Sequence, residues 1–528
     1  MKQACRDLIQ QGKEAFQRKL PFDSMCQDIA ENFYPERATF TRSHIMGEEF
    51  ATHLYSSYPL LMRRELGDAL STLSRPAGEN WFYMGLVDED REDQAAKQWM
   101  EHKTGILRRH MYSPNSGFSR STKAGDHEWA TFGQCALSAE LNRSRNGLFY
   151  RIWPLENMAW EEGYTGNPEL FWRKWEPSVR QLKQIFGKDR LHKSCQDEKD
   201  QGKKVRCMHI FVPSECYEGA TPLFPYISIY VDLDNEHEIE VKGLPYGYYV
   251  VPRWFTPPGS QYAYSPAIIA ALPDARLYQD MTRVILEAGQ KAVDPPLIGV
   301  AEAIGSDIDI QAGGFTAVSA EYDERLGEVL RPLFVDKSGL PLGMDLLDRT
   351  QQVLAKALYI DKLTLPRNFE MTATESQIRF QEYIRTILPL FEPKEAEMEA
   401  RICQLGFDIL FRHGAFGSIK DMPPSLQGAD YQFRFISPLS RAIEQKKTNI
   451  FYEVKNVLAQ AAEVEPLVIA NIDINTAARD AMVGAGADAD WLIDEEQVME
   501  AQQAAREQQQ AQKEMEMTQQ AKELISVA

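Results

Sequence analysis

The stretch PAIIAALPDARLYQDMTRVILEAGQKAV at residues 266–293 carries the signal that decides the fold. Pro266 and Pro273 suit the first positions of a helix, and Asp294-Pro295-Pro296 would stop one. Between Pro273 and Asp294 the apolar side chains recur with helical spacing. They predict one apolar stripe, formed by Leu277, Met281, Val284, Ile285 and Ala288. The sequence therefore predicts one long helix that ends near Val293.

The residues after this helix change character twice. From Asp294 to Phe334 the sequence is rich in glycine and strand-like in the runs PLIGV (296–300) and GGFTAV (313–318). A second long helix is predicted from about Gly343 to Leu363, with helical spacing on Leu347, Leu354 and Leu358. Two long helices around a small β module are the architecture that the sequence indicates most strongly.

Upstream, the chain alternates between helical and strand-like segments. Residues 1–75 are predicted to be mostly helical, and further helices are expected at Gln94–Met111 and Phe118–Trp129. Strands are expected in TFGQCALSAEL (131–141), GLFYRIWPL (147–155) and YYVVPRWF (248–255), with a hairpin from Ile227 to Val241. The polar run from His192 to Arg206 is predicted to be an exposed loop. The region is mixed, and the predicted fold class is α+β.

Downstream of the helix pair, Pro366 makes residues 363–371 a connector, since a residue before proline disfavours helix. Thr372 and Glu375 fit a capping box. The helix that they would start has its apolar face on Phe380, Ile384, Ile387, Leu388 and Phe391. A short strand is expected at Tyr431–Ile436, and the tail beyond Trp491 could be a solvated helix, a bundle partner or a frayed end.

Length and charge narrow the class of protein. A chain of 528 residues exceeds what one hydrophobic core supports, so several substructures are expected. The formal net charge of −19, from 58 Lys plus Arg against 77 Asp plus Glu, disfavours tight wrapping of nucleic acid, although a surface past which DNA slides would tolerate it. Seven scattered cysteines predict reduced thiols and synthesis in a cytoplasm. Neither a signal peptide nor a membrane-spanning run is expected.

The sequence shows no motif of a known catalytic site. It contains no G-x-x-x-x-G-K-[ST] loop, so a nucleotide-driven motor is not expected. The lone G-x-G in VGAGADAD (483–490) predicts a turn, and the acidic runs at 88–90 and 161–162 are interpreted as solvated faces. The paired spacing of a zinc site is missing from the His and Cys residues between 192 and 216, namely His192, Cys195, Cys207, His209 and Cys216. We therefore expect no enzyme activity, no cofactor and no metal.

Basic side chains offer candidates for contact with DNA. The pairs Arg63-Arg64, Arg108-Arg109 and Lys446-Lys447 lie on predicted helices, where surface solubility also explains them. The connector differs, because side chains can project into an opening from a Pro-containing loop between two helices. The candidate channel residues are Lys362, Arg367 and Asn368.

Five stretches resemble the head-to-tail connecting, or portal, proteins of short-tailed bacteriophages. VPRWFTPPGSQYAYSPAIIAALPDARLYQDM (251–281) resembles the approach to the family's stem helix, and KAVDPPLIG (291–299) resembles the exit from it. MTATESQIRFQEYIRTILPLFEP (371–393) resembles the helix after the tunnel loop, ISPLSRAIEQKKTNI (436–450) the start of the C-terminal helical part, and FSRSTKAGDHEWATFGQCALSAE (118–140) the N-terminal half. They occur in the family's order; the departure is YAYSP (262–266), where the family often has Tyr-Gly before Ser-Pro.

The resemblance implies a portal fold of the α+β class, assembled as a dodecameric ring. Its divisions would be a wing (1–265 and 372–438), two stem helices (266–293 and 342–362), a clip (294–341), a tunnel loop (363–371), and a crown with a helical tail (439–528).

The resemblance also implies a non-enzymatic channel for DNA packaging and ejection at the unique capsid vertex of the virion, assembled in the host cytoplasm. Expected partners are further copies of the chain, the major capsid protein, the scaffolding protein, the terminase large subunit, tail adaptor and internal core proteins, and double-stranded DNA passing without sequence specificity, with no membrane. The alternative is a tail adaptor or another ring-forming structural virion protein, which should be shorter and lack the paired helices.

Overall fold

The computed structural model describes most of the first 293 residues and several separate stretches after them. The described residues are 1–43, 47–49, 51–76, 78, 80–88, 93–142, 144–217, 223–293, 295, 297–299, 330–332, 339–363, 389, 391–418, 422–435, 448, 450–460, 474–484 and 498. The helix predicted from Thr372, the run GGFTAV, Lys446-Lys447 and nearly all of the tail beyond Trp491 lie outside them.

Helices dominate the first third of the chain and form its long central pair. Their bounds are α1 (Gln3–Phe33), α2 (Tyr58–Ser74), α3 (Gln94–Met111), α4 (Phe118–Phe132), α5 (Val179–Phe186), α6 (Lys193–Gln196), α7 (Pro266–Val293), α8 (Gly339–Ala357), α9 (Ile360–Leu363), α10 (Ala400–Arg412) and α11 (Ile474–Gly484). The predicted helix Gln94–Met111 is confirmed at both ends, and the helix predicted from Phe118 continues past Trp129 to Phe132.

Strands form four antiparallel groups. Their bounds are β1 (Phe82–Leu86), β2 (Ala136–Leu141), β3 (Leu148–Trp153), β4 (Met158–Glu162), β5 (Pro168–Trp175), β6 (Cys207–Pro213), β7 (Tyr226–Asp232), β8 (His237–Leu244), β9 (Tyr249–Val250), β10 (Leu297–Gly299), β11 (Leu330–Pro332) and β12 (Tyr431–Phe435). The sheet orders are β4-β5-β6-β7-β8, β3-β2-β9, β1-β12 and β10-β11. The mixed α+β class is therefore confirmed.

The five-stranded sheet carries α1 on one face. Alternating strand residues such as Trp172, Met208 and Ile210 bury themselves against the N-terminal half of α1. The approach is so close at Gly12 that a Cβ there would lie 2.5 Å from Cδ1 of Trp172. The indole N–H of Trp172 also donates to the carbonyl of Leu8 at 2.9 Å, which fixes the helix on the sheet.

The predicted hairpin is confirmed as β7 and β8. The carboxylate of Asp232 accepts the backbone N–H groups of Asp234 and Asn235 at 3.0 and 3.1 Å. This is the side-chain-to-backbone bonding by which Asp favours turns. The turn therefore begins at Leu233, one residue before the predicted Asp234-Asn235 pair.

Two expectations for this half are wrong in part. The run from His192 to Arg206 is not wholly an exposed loop, because α6 lies within it and Cys195 and Val205 are buried in a small core with α5. The strand expected in YYVVPRWF is confined to the two residues of β9. Pro252 has no N–H to donate to a ladder, and the chain leaves the sheet so that Trp254 stacks on Trp129, with ring centroids 4.1 Å apart.

The two long helices run from the body of the molecule and back to it. Helix α7 ends at Val293 as predicted, but Pro273 lies inside it and not at a helix start. Pro273 is exposed, and its ring has no N–H to donate to the carbonyl of Ile269, four residues earlier. The antiparallel strands β10 and β11 lie between α7 and α8 in sequence.

The second helix is shorter than expected. The helix predicted from about Gly343 to Leu363 is not continuous, because α8 ends at Ala357 and Tyr359 adopts a left-handed φ of 60° before α9 begins. A side chain in that region of backbone space is sterically disfavoured. The helix therefore breaks two residues after Ala357.

Candidate functional site

The base of the helix pair is fixed to the body by buried polar contacts. The side-chain carbonyl of Gln279 on α7 accepts the N–H groups of Tyr55 and Ser56 at 2.9 and 3.0 Å, and its amide donates to the Ser56 carbonyl at 2.8 Å. At the start of α7 the Ser265 hydroxyl donates to the carbonyl of Ala130 at 2.7 Å. These bonds set the direction in which the pair leaves the body.

The two helices are held in register by one network. The amide of Gln351 on α8 donates to the hydroxyl of Tyr278 on α7 at 2.7 Å, and the hydroxyl of Tyr58 on α2 donates to the Gln351 carbonyl at 3.1 Å. Burial raises the pKa of Tyr58, which keeps this donor protonated. The network makes Tyr278 level with Gln351 along the pair.

The apolar stripe predicted on α7 does not form its buried face. The buried residues of α7 are Ala267, Ile268, Ala271, Ala275, Tyr278 and Gln279, whereas Leu277 and Val284 of the stripe are 50% and 56% exposed. Small alanines occupy the core-facing side because the body approaches closely there. Leu277 and Val284 thus remain on the surface of this chain.

Of the candidate channel residues, Lys362 lies at the end of the helix pair. Lys362 is exposed on α9, with its Nζ 5.1 Å from the ring centroid of Tyr359. Arg367 and Asn368 lie outside the described residues. Their assignment to a channel therefore remains a prediction from the sequence.

A buried cluster of four charges anchors the segment that follows. Arg75 forms ion pairs with Asp126 on α4 and with Glu399, and Lys394 lies 3.0 Å from one carboxylate oxygen of each. All four side chains are at most 4% exposed, and the two positive and two negative charges balance. Burial alone would lower the pKa of Arg75, but Asp126 and Glu399 together raise it.

The cluster coincides with a π-helical turn at Glu395–Glu399, directly before α10. The wider turn of a π-helix brings residues five apart onto one side, so Lys394 and Glu399 meet although they do not have α-helical spacing. Glu395 is half-buried within the turn, and burial together with Glu399 raises its pKa to about 7. Sequence reasoning missed this site because isolated Lys and Glu residues in an acidic helix have the pattern of a solvated face.

The basic pairs have different environments. Arg63 is not a surface residue as expected: it is buried, lies 3.7 Å from the ring centroid of Tyr34 and donates to the carbonyl of Phe33 at 3.1 Å. Arg109 is exposed and borders a polar pocket of about 480 Å³ with His110, Asn142 and other residues. None of the lining residues is acidic, so no carboxylate orients His110 for proton transfer.

The residues considered for zinc are held in other contacts. His209 is fully buried, with its ring nitrogens 2.6 Å from the Tyr249 hydroxyl and 2.8 Å from the Ser228 hydroxyl, and burial lowers its pKa well below the ordinary value. Cys195 and Cys207 are buried apolar core residues, whereas Cys216 is exposed. Among the described residues no group of His, Cys, Asp and Glu has the arrangement of a metal site.

The solvated-face expectation for residues 161–162 is tested by their ion pairs. Glu161 and Glu162 pair separately with Arg18 and Arg253. They therefore bind different parts of the chain and do not converge on one substrate. In the described part of the chain, the helices include none that is both long and apolar enough to span a bilayer.

Comparison with known proteins identifies the family. Residues 3–493 match the family described as bacteriophage head to tail connecting protein. A relative, the probable portal protein of Bordetella phage BPP-1, is 24% identical over 406 residues, which cover 74% of this chain and 71% of the relative. A solved structure of the virion of a native gene transfer agent particle shares 12% identity and has a TM-score of 0.36, over 76% of this chain and 86% of that one. Because the family match extends over nearly the whole sequence, this chain belongs to the bacteriophage head-to-tail connecting proteins.

Proposed function

We propose that this chain is the portal subunit of a short-tailed phage: copies of it form a dodecameric ring at the unique capsid vertex. The ring would nucleate capsid assembly with the major capsid and scaffolding proteins, dock the terminase large subunit during packaging, and then bind the tail adaptor and internal core proteins. The observation that carries the proposal is the family match over residues 3–493. The antiparallel pair α7 and α8, which leaves and rejoins one body, supports it.

The charge balance suits a conduit for DNA. A net charge of −19 gives long-range repulsion of phosphate, so duplex DNA would slide without adhering. Few exposed cations would then face the DNA, among them Lys362 at the end of α9. Neither the family nor the relative is described by a catalytic activity, and we propose that no bond is made or broken by this chain.

Electron microscopy of the purified protein tests the ring. We expect end-on views with about twelvefold symmetry and a central hole wide enough for duplex DNA. A monomer or dimer at high protein concentration would contradict the portal assignment. Nucleotide turnover or metal-dependent DNA cleavage by the pure protein would contradict the non-enzymatic part.

Charge reversal tests the candidate channel residues. The double variant Lys362→Glu with Arg367→Glu should lower genome retention after packaging, because two cations that oppose backward slippage are replaced by repulsive carboxylates. The control is Lys188→Glu, an exposed lysine in the loop after α5. Unchanged packaging and retention in the double variant would refute the braking role while leaving the ring intact.

A further inference from the structure

The helix pair carries apolar residues that this chain leaves uncovered. Leu277 and Val284 on α7 lie on one face of that helix, and Leu342, Leu346 and Val353 lie on one face of α8 at spacings of four and seven. All five are 45–64% exposed. A solvated helix carries polar residues on such a face, and a contiguous exposed apolar patch marks an interaction site.

The two stripes form one surface. Tyr278 is level with Gln351, and Ile285 is level with Gly343, whose Cβ position would lie 3.4 Å from Cγ1 of Ile285. In this antiparallel register, the right-handed sense of both helices turns the two stripes to the same side of the pair. We call this surface the apolar side; it comprises Leu277, Val284, Leu342, Leu346 and Val353.

The opposite side of the pair is also partly apolar. Leu286 and Val293 near the end of α7 are 50% and 88% exposed, and Met344 on α8 is 58% exposed. By the same helical geometry they lie away from the apolar side. One helix pair thus carries two different exposed apolar surfaces on opposite sides.

We propose that the apolar side of one copy packs against the opposite side of the helix pair in the neighbouring copy. The proposal rests on the ring of the proposed function, because a closed ring requires two different surfaces that complement each other. A second copy is the occupant that explains why both sides of the same pair are apolar. A partner of another kind would need only one of them.

Charge at the edge of the interface sets its register. Arg349 borders the apolar side and Asp348 points toward the opposite side; both are exposed and form no ion pair with residues that the structure describes. Neighbouring copies in a ring are related by rotation about the ring axis, so equivalent residues lie at the same height along that axis. If the helix pair runs along the axis, the adjacent residues Arg349 and Asp348 also lie at nearly the same height. Arg349 of one copy therefore meets Asp348 of the next.

Charge exchange in the full-length protein tests this contact. The single variants Arg349→Asp and Asp348→Arg should each lower the fraction of rings about tenfold at fixed concentration, since each juxtaposes like charges. The double variant restores opposite charges at every interface and should restore the ring. Native mass spectrometry and end-on microscopy measure the ring fraction.

A second variant tests the apolar contact. Val284→Lys places a charge in the centre of the apolar side and should abolish rings, whereas Ile185→Lys, at a residue 58% exposed on α5, should leave them intact. If both single reversals and Val284→Lys form rings to the same fraction as the wild-type protein, this interface is wrong and the portal function still stands. A wild-type chain that never forms rings would overturn both.

Discussion

Glu395 should make the stability of the protein depend on pH in an unusual direction. Its pKa rises from an ordinary 4.5 to about 7 in the folded chain, because burial and Glu399 disfavour its charged form. Between those values the folded chain keeps a proton that the unfolded chain has lost. Stability from this residue is therefore present below about pH 4.5 and is lost as the pH rises toward 7.

The size of the effect follows from the two pKa values. A tenfold change in proton affinity corresponds to about 1.4 kcal/mol, so the rise to about 7 costs at most about 3 kcal/mol of folding free energy above neutral pH. Glutamine has the shape of the protonated acid and never ionises. We therefore expect Glu395→Gln to stabilise the protein by up to about 3 kcal/mol at pH 8 and by almost nothing at pH 4.

Urea unfolding of the full-length protein at both pH values, followed by tryptophan fluorescence, measures the difference. The control is Glu176→Gln, an exposed carboxylate directly after β5, which should change neither midpoint. An equal gain at pH 4 and pH 8 would show that the glutamine acts through packing. No gain at pH 8 would refute the argument that Glu395 pays a charge penalty in the folded chain.

Three further substitutions test the packing described above by their unfolding midpoints. Lys394→Met should cost about 3–5 kcal/mol, because it leaves buried carboxylates with one cation fewer; a loss below about 1 kcal/mol would mean that the cluster is hydrated. Gly133→Ala should prevent folding, because Gly133 has a φ of 75° and the new Cβ would lie 2.0 Å from the backbone carbonyl carbon of Tyr264. The control Gly166→Ala has a similar φ of 76° but open space around the new Cβ, so it should cost only about 1 kcal/mol. Arg63→Ala should cost about 2 kcal/mol through its lost hydrogen bond and ring contact, and the exposed neighbour change Arg64→Ala almost nothing; equal effects would contradict the burial of Arg63.

Local patterns in the sequence were sufficient to locate many elements of secondary structure. Gln94–Met111 and the β7–β8 hairpin follow from periods that depend on neighbouring residues alone. The end of α7 at Val293 follows from the Asp-Pro-Pro sequence. Such signals need no knowledge of the rest of the molecule, which explains why they predict element type and position.

Tertiary contacts decided what the sequence could not. The stripe on α7 has the spacing of a buried face, but spacing does not say whether the same chain or another copy covers it. Likewise, Arg75 and Asp126 are far apart in sequence from each other and from Lys394 and Glu399, and only the fold brings the four together. The channel residues Arg367 and Asn368 stay predictions from their place in the sequence.

The pairing of β1 with β12 has a consequence for synthesis of the chain. Leu86 of β1 lies opposite Tyr431 of β12. In the buried charge cluster, Arg75 and Asp126 likewise need Glu399 and Lys394, which are made much later. At translation rates of about 5–20 residues per second, β1 waits roughly 17–70 s before its partner strand is made. The nascent chain must keep these apolar and charged groups from aggregating during that interval. From this order of segments we expect chaperones to assist folding during translation, and expression at lower temperature should raise the yield of folded subunits.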